Sequence, residues 1–210
     1  MQERLARVTS VTPRVIRAAL LLSMALGPIG CRMGHAPETT PGPTGGSSRP
    51  PGGVSRDDYE YLRRRGLLIP VANVPLWRIP DTFNDARDGK RVHRAVDILA
   101  PKGTPVVSTD VGRILKLRMG GSGGITVYAV DPDERFVYYY AHLDRYRKGL
   151  SEGQRLQKGD TIGYVGTSGN APRDTPHLHF QVTRMPPNEH WWEGVPVDPR
   201  PLFTTETNGR

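Results

Sequence analysis

The stretch Asp174-Thr-Pro-His-Leu-His-Phe-Gln-Val-Thr183 sets the fold class. Leu178, Phe180 and Val182 alternate with His177, His179 and Gln181, the period of two that marks a half-buried strand. Leu178 and Phe180 then share a core-facing side, and the two imidazoles lie together on the other.

Working outward, the same pattern recurs. Val106-Val-Ser108, Gly112–Leu117, Ile125–Val130, Phe136–Ala141 and Thr161–Val165 read as short strands. Asp131-Pro-Asp-Glu-Arg135 is the turn between two of them, and Gly166–Pro176 is a loop leading into the histidine strand. With 24 Gly and 20 Pro in 210 residues, a helical bundle is excluded. The expectation is one all-β domain, an antiparallel β-sandwich or barrel, preceded by a short helix at 57–65. Acids open that helix, arginines close it and Gly66 stops it, so its charge run reads as a solvated face with no binding role.

The N-terminal quarter has a different character. Arg4, Arg7, Arg14 and Arg17 precede the apolar run Ala18–Leu26, which is too short to span a bilayer. Gly30-Cys31 follows, resembling the end of a bacterial lipoprotein signal in which the cysteine is lipidated. Pro28 departs from that pattern. Residues 32–56 are rich in Pro, Gly, Ser and Thr and read as a disordered tether. The expected organisation is therefore a signal segment at 1–31, a tether at 32–56, a helix and lead-in at 57–74, a β domain at 75–203 and a frayed tail at 204–210.

The net charge of +8 is unevenly placed. Residues 1–56 hold seven arginines against two acids, a net +5, which leaves only +3 for the domain. With no basic helical stripe and no aromatic-rich binding motif, nucleic acid is not an expected partner. Cys31 is the single cysteine, so no disulfide forms within the chain, and a core, a metal or both must hold the domain together.

Four of the six histidines fall beside predicted strands: His93 in His93-Arg-Ala-Val-Asp97, His142 in Tyr140-Ala-His-Leu143, and His177 and His179. Two neutral imidazoles and one carboxylate form a common ligand set for a catalytic Zn²⁺ with an open position for water. Asp97 is the acid placed with a histidine in this way. Two histidines then remain for acid and base work. The spacing of His93 and Asp97 would also suit one helical face, but Val92, Val96, Ile98 and the following Ala100-Pro101 favour a strand running into a loop. No His-Glu-x-x-His is present, so the helical zinc-protease arrangement is absent. His35 and His190 read as solvated. Ser168 lacks the flanks of a nucleophile elbow and reads as part of a turn bordering the groove. Trp191-Trp192 reads as a hydrophobic clamp on the sandwich, or else as a sugar or peptide platform. Arg87 and Arg91, just before His93, read equally as solvated side chains or as contacts for an acidic peptide.

Together, the segments His93–Val106, Tyr140–Leu143, Glu152–Gly166 and Thr175–Phe180 resemble the lysostaphin/LytM-type M23 zinc metallopeptidases over roughly residues 80–203. The resemblance implies a lysostaphin-like β-sandwich with a long groove holding one Zn²⁺ per chain. It makes His93, Asp97 and His179 the zinc ligands, a choice between His177 and His179 that the residues alone do not make. His142 and His177 then become the catalytic histidines. The implied activity is hydrolysis of peptide bonds in bacterial peptidoglycan by zinc-bound hydroxide with histidine assistance, in the cell envelope and facing the periplasm or wall. Peptidoglycan peptides and, through lipidated Cys31, a membrane are the implied partners. The rival is a non-catalytic wall-binding or hydrolase-activating module of the same fold; retention of all five residues favours the enzyme. A zinc peptidase acting on secreted proteins would share these motifs. Three positions depart from the family pattern: Ala95 and Asn84 stand where glycine is usual, and Gly124-Ile125 replaces a Gly-Asn.

Overall fold

The computed structural model describes residues 53–204, apart from 88, 90, 188 and 189. The expected signal segment, Cys31 and nearly all of the expected tether lie outside the described residues.

One helix, α1 (Arg56–Arg65), precedes eleven strands: β1 (Ala86–Arg87), β2 (Arg91–Val92), β3 (Val96–Leu99), β4 (Pro105–Val107), β5 (Gly112–Arg118), β6 (Ile125–Val130), β7 (Phe136–Tyr146), β8 (Arg155–Leu156), β9 (Thr161–Val165), β10 (His177–Arg184) and β11 (Val195–Val197). All the strand pairs are antiparallel. β1 and β2 form a separate two-stranded ribbon, and the other nine form one sheet among the described residues. The expected all-β antiparallel fold with one short N-terminal helix is what the chain adopts.

β10 lies at the centre of the site-bearing region. One edge pairs with β7, and the other pairs first with β3 and then with β11. Leu178, Phe180 and Val182 are fully buried, as the alternation predicts. They join Val96, Ile98, Val127, Tyr138, Tyr140, Leu143 and Ile162 in one core.

β7 is longer than the sequence suggests. The expected strand stops at Ala141, yet pairing continues to Tyr146. His142 takes a left-handed conformation, φ 62°, which bends the strand without ending it. Before the bend β7 pairs with β10; after it, Leu143–Tyr146 pair with β9.

The expected single strand through His93 and Asp97 is broken as well. β2 ends at Val92, Arg94 sits at φ 56°, and β3 begins at Val96. The left-handed residue here is Arg94. Asn84, which stands where the family pattern has glycine, does not adopt that conformation, and its Oδ1 accepts a hydrogen bond from Arg94 Nη1 at 2.9 Å.

α1 is capped as predicted at its end, with Gly66 at φ 58°, and Ser55 and Asp58 form a capping box at its start. The solvated-face expectation fails at Asp58, Tyr61 and Leu62, which are buried. Asp58 accepts hydrogen bonds from Arg135 and Arg184 at 2.9 Å each, so the helix is pinned to the turn before β7 and to β10 by ion pairs. The short-range charge pattern cannot show this, because both arginines lie more than 70 residues away.

Candidate metal centre and groove

Register places the polar face of β10 opposite two functional neighbours. His179 pairs with Asp97 of β3 on one side and with Ala141 of β7 on the other, so His142 lies one residue along. The break at Arg94 turns His93 back over Asp97. His93 Nε2 then lies 3.1 Å from Asp97 Oδ1, His179 Nδ1 lies 3.0 Å from the same oxygen, and the two ring nitrogens are 3.0 Å apart. His177 Nε2 is 3.9 Å from Asp97 Oδ1 and stands just outside this triangle.

The hydrogen bonds around the rings fix their tautomers. His93 Nδ1 faces the Thr82 carbonyl at 3.0 Å, His142 Nδ1 the Ser168 carbonyl at 2.9 Å, and His177 Nδ1 the Thr175 carbonyl at 2.8 Å. A carbonyl only accepts, so each Nδ1 carries the proton and each Nε2 presents a lone pair. Burial pushes the His142 pKa down to about 4, with His177 and His179 adding to the effect, so the ring is neutral at ordinary pH. Burial opposes ionisation of Asp97 too, but its interactions with His179 and His93 outweigh it, and the carboxyl is held far below the usual range.

This donor set fits a metal ion. His93 Nε2 and Asp97 Oδ1 both point lone pairs at one spot, and only the Nδ1 position of His179 can supply a proton between them. Tetrahedral zinc with bonds near 2.0–2.1 Å would space its ligand atoms by about 3.3 Å, close to the separations found. His93, Asp97 and His179 form a compact His/Asp group able to hold a metal among the described residues.

The cluster opens into a groove of about 560 Å³ that His142, His177 and Tyr139 also line. One wall consists of two glycine-rich loops in backbone contact. A Cβ on Gly169 would lie 2.2 Å from the Ser122 carbonyl oxygen, and one on Gly124 only 2.4 Å from Gly169 N. Ser168 ties these loops together: its Oγ accepts from Ile125 N at 2.9 Å and donates to the Leu143 carbonyl at 2.6 Å. Its own carbonyl orients His142. Ser168 was read as a turn residue, and its orienting role left no local signal beyond the glycine runs flanking it at 120–124 and 166–169.

The remaining candidates separate. Arg87 is not simply solvated, since its Nη2 binds Asp97 Oδ2 at 2.6 Å. Trp191 packs edge-on against Tyr128, as a clamp would, whereas Trp192 is 61% exposed and stacks on His190. His190 is exposed, as expected, and stacks on Trp192 at the surface.

A family model, peptidase family M23, matches residues 91–199, about half of the chain. The chain belongs to peptidase family M23. An M23 relative in Bacillus subtilis (strain 168), "L-Ala--D-Glu endopeptidase", is 35% identical over 137 residues, covering 62% of this chain and 41% of its own length. The chain spans less than half the length of the curated relatives it matches. Among solved structures, LytU superposes with a TM-score of 0.50 at 28% identity, covering 60% of this chain and 83% of that one. Helicobacter pylori Csd3 gives 0.52 at 27% identity, covering 69% and 36%. The chain thus has the M23 fold. No helix among the described residues is long and apolar enough to cross a membrane.

Proposed function

We propose that this M23 chain is a zinc-dependent endopeptidase that hydrolyses peptide bonds of bacterial peptidoglycan. The observation that carries the reading is the convergence of His93 Nε2, Asp97 Oδ1 and His179 Nδ1 to within 3.0–3.1 Å, beside two histidines with free Nε2 lone pairs. The relatives named as peptidoglycan endopeptidases support the substrate class.

His93, Asp97 and His179 would hold the ion. Bound there, zinc would lower the pKa of a water in its open position and polarise a substrate carbonyl. The chain's own groups do the rest. His177 Nε2, its lone pair free and 3.9 Å from Asp97 Oδ1, would take the proton of the attacking water. His142, held by the Ser168 carbonyl and with its ring 5.0 Å from that of His177, would take up on its free Nε2 the proton released from the attacking water and then give it to the leaving amine.

The signal and tether at 1–56 complete the reading. Cys31 is lipidated, and the domain works in the cell envelope within reach of its membrane. The test is mass spectrometry of peptidoglycan after digestion by the zinc-loaded chain. New free amines at one type of peptide bond, absent when a chelator is added, are expected. Intact peptide links in every fragment would overturn the reading.

A further inference from the structure

We infer that Leu99 forms an apolar subsite beside His177, so that the substrate residue whose carbonyl is attacked carries an alkyl side chain. The inference rests on the peptidase reading and extends it to the identity of that residue.

Alternation along β3 puts Leu99 there. Val96 and Ile98 are fully buried in the core, so Asp97 and Leu99 share the opposite face, which lines the groove. Register then sets Asp97 against His179 and Leu99 against His177. Residues directly opposite each other in an antiparallel pair have Cβ atoms about 4.5–5.5 Å apart. Leu99 therefore flanks His177 as Asp97 flanks His179.

Asp97 reaches the metal cluster, whereas Leu99 offers only alkyl surface. It is 54% exposed and stands outside the core. A lone exposed leucine on a convex surface means little. This one lines a concave groove one strand from His177, and the exposed Val92 adds a second aliphatic side chain to the same lining. Apolar walls with a few convergent polar groups are the usual make-up of a site that a ligand covers.

Strand order decides which part of a substrate meets Leu99. β10 lies between β3 and β7, so Leu99 and His142 stand on opposite flanks of it. His142 gives its proton to the leaving amine, which puts the amine side of the scissile bond towards β7. The acyl side then lies towards β3, where Leu99 is. A glycine at that place would leave Leu99 in water, whereas an alkyl side chain would cover it. Each methyl group so removed from water raises affinity about fourfold.

The test uses two zinc-binding probes, N-acetylglycine hydroxamate and N-acetylalanine hydroxamate, the latter in both hands. They are titrated calorimetrically into the zinc-loaded full chain. The hydroxamate takes the place of the scissile amide on the metal, so the probes differ only by a methyl group on the acyl residue. The better hand of the alanine probe is expected to bind about fourfold more tightly than the glycine probe. Raising salt from about 50 to about 500 mM should not shrink the ratio, because an apolar contact is not screened. Leu99→Met should keep the preference, and Leu99→Asn should bring it to near unity. Leu99 is exposed, so both variants should fold and keep their zinc. Equal affinity for the two probes, no binding of either, or a preference that survives Leu99→Asn overturns the subsite. A Leu99-dependent preference in a chain that leaves every peptide link of peptidoglycan intact keeps the subsite and sinks the peptidase reading. Cleavage without the preference does the reverse.

Discussion

His93 and Asp97 are brought to 3.1 Å by a backbone reversal at the residue after His93, Arg94 at φ 56°. Along a continuous strand their Cα atoms would be separated by about 13 Å, since each residue rises roughly 3.3 Å. The metal centre therefore depends on one left-handed residue as much as on its ligands. The Arg94 carbonyl accepts from Gln181 Nε2 at 2.9 Å, which ties the reversal to β10. Glycine adopts this conformation without penalty, whereas a β-branched residue strains it by about 1–2 kcal/mol. Arg94→Gly should keep zinc content and stay within about 1 kcal/mol of wild-type stability. Arg94→Val should lose about 1–2 kcal/mol and bind zinc more weakly. Denaturant melts and metal analysis of the two variants check this.

That reversal also marks how far the sequence could be read. Strands whose pattern is local, such as Ile125–Val130 and Thr161–Val165, have the bounds expected from alternation. The core side of β10 was legible for the same reason. The segments that misled are those where a non-glycine residue adopts a left-handed conformation, Arg94 and His142, because propensity rules reserve that region for glycine and asparagine. Such strain persists only where the surrounding structure over-determines it, and both residues border the metal centre. The burial of Asp58 was hidden for another reason: its arginine partners come from the turn before β7 and from β10, and nothing within the helix announces them.

The two kinds of histidine should separate experimentally. His179→Ala removes one of three donors, so zinc content and turnover should fall together. His142→Ala leaves the donors in place, and zinc should stay near one per chain while kcat drops about 10²–10⁴-fold, the usual share of general acid–base assistance. Metal analysis beside single-turnover assays on peptidoglycan distinguishes them. An active His142→Ala enzyme would remove that residue from the mechanism.

Ser168 offers a quieter test. Ser168→Ala deletes the hydroxyl that bridges Ile125 N and the Leu143 carbonyl, so two partly buried backbone groups lose their partner. The expected cost is about 1–3 kcal/mol. The carbonyl that orients His142 remains in the chain but on a looser loop, so kcat should fall more than KM rises. Equal stability and equal kcat in the variant would show that the loop is held by its glycine contacts alone.

The proposed anchor is checked by fractionation. Cys31→Ala should move the protein from the membrane fraction to the soluble fraction of the cell envelope, with zinc content unchanged. Identical fractionation of the variant and wild type would reject lipidation.

The helix clamp predicts a distinct acid response. Burial by itself would raise the pKa of Asp58, but hydrogen bonds from Ser55, Arg135 and Arg184 outweigh it and hold the carboxyl at about 2. A carboxyl with a lower pKa in the folded than in the unfolded state contributes its stabilisation above the ordinary value near 3.8 and loses it as pH falls towards 2. The contribution should be of order 1–2 kcal/mol after allowance for solvent screening. Denaturant melts at pH 5, 4, 3 and 2 should therefore show wild type losing more stability than Asp58→Asn, with the curves converging at the acid end. The variant keeps the side-chain shape but leaves Arg135 and Arg184 without their anion, so it should start lower at pH 5. Parallel pH curves for the two proteins would mean that Asp58 titrates normally and that apolar packing of Tyr61 and Leu62, rather than the ion pairs, holds the helix to the sheet.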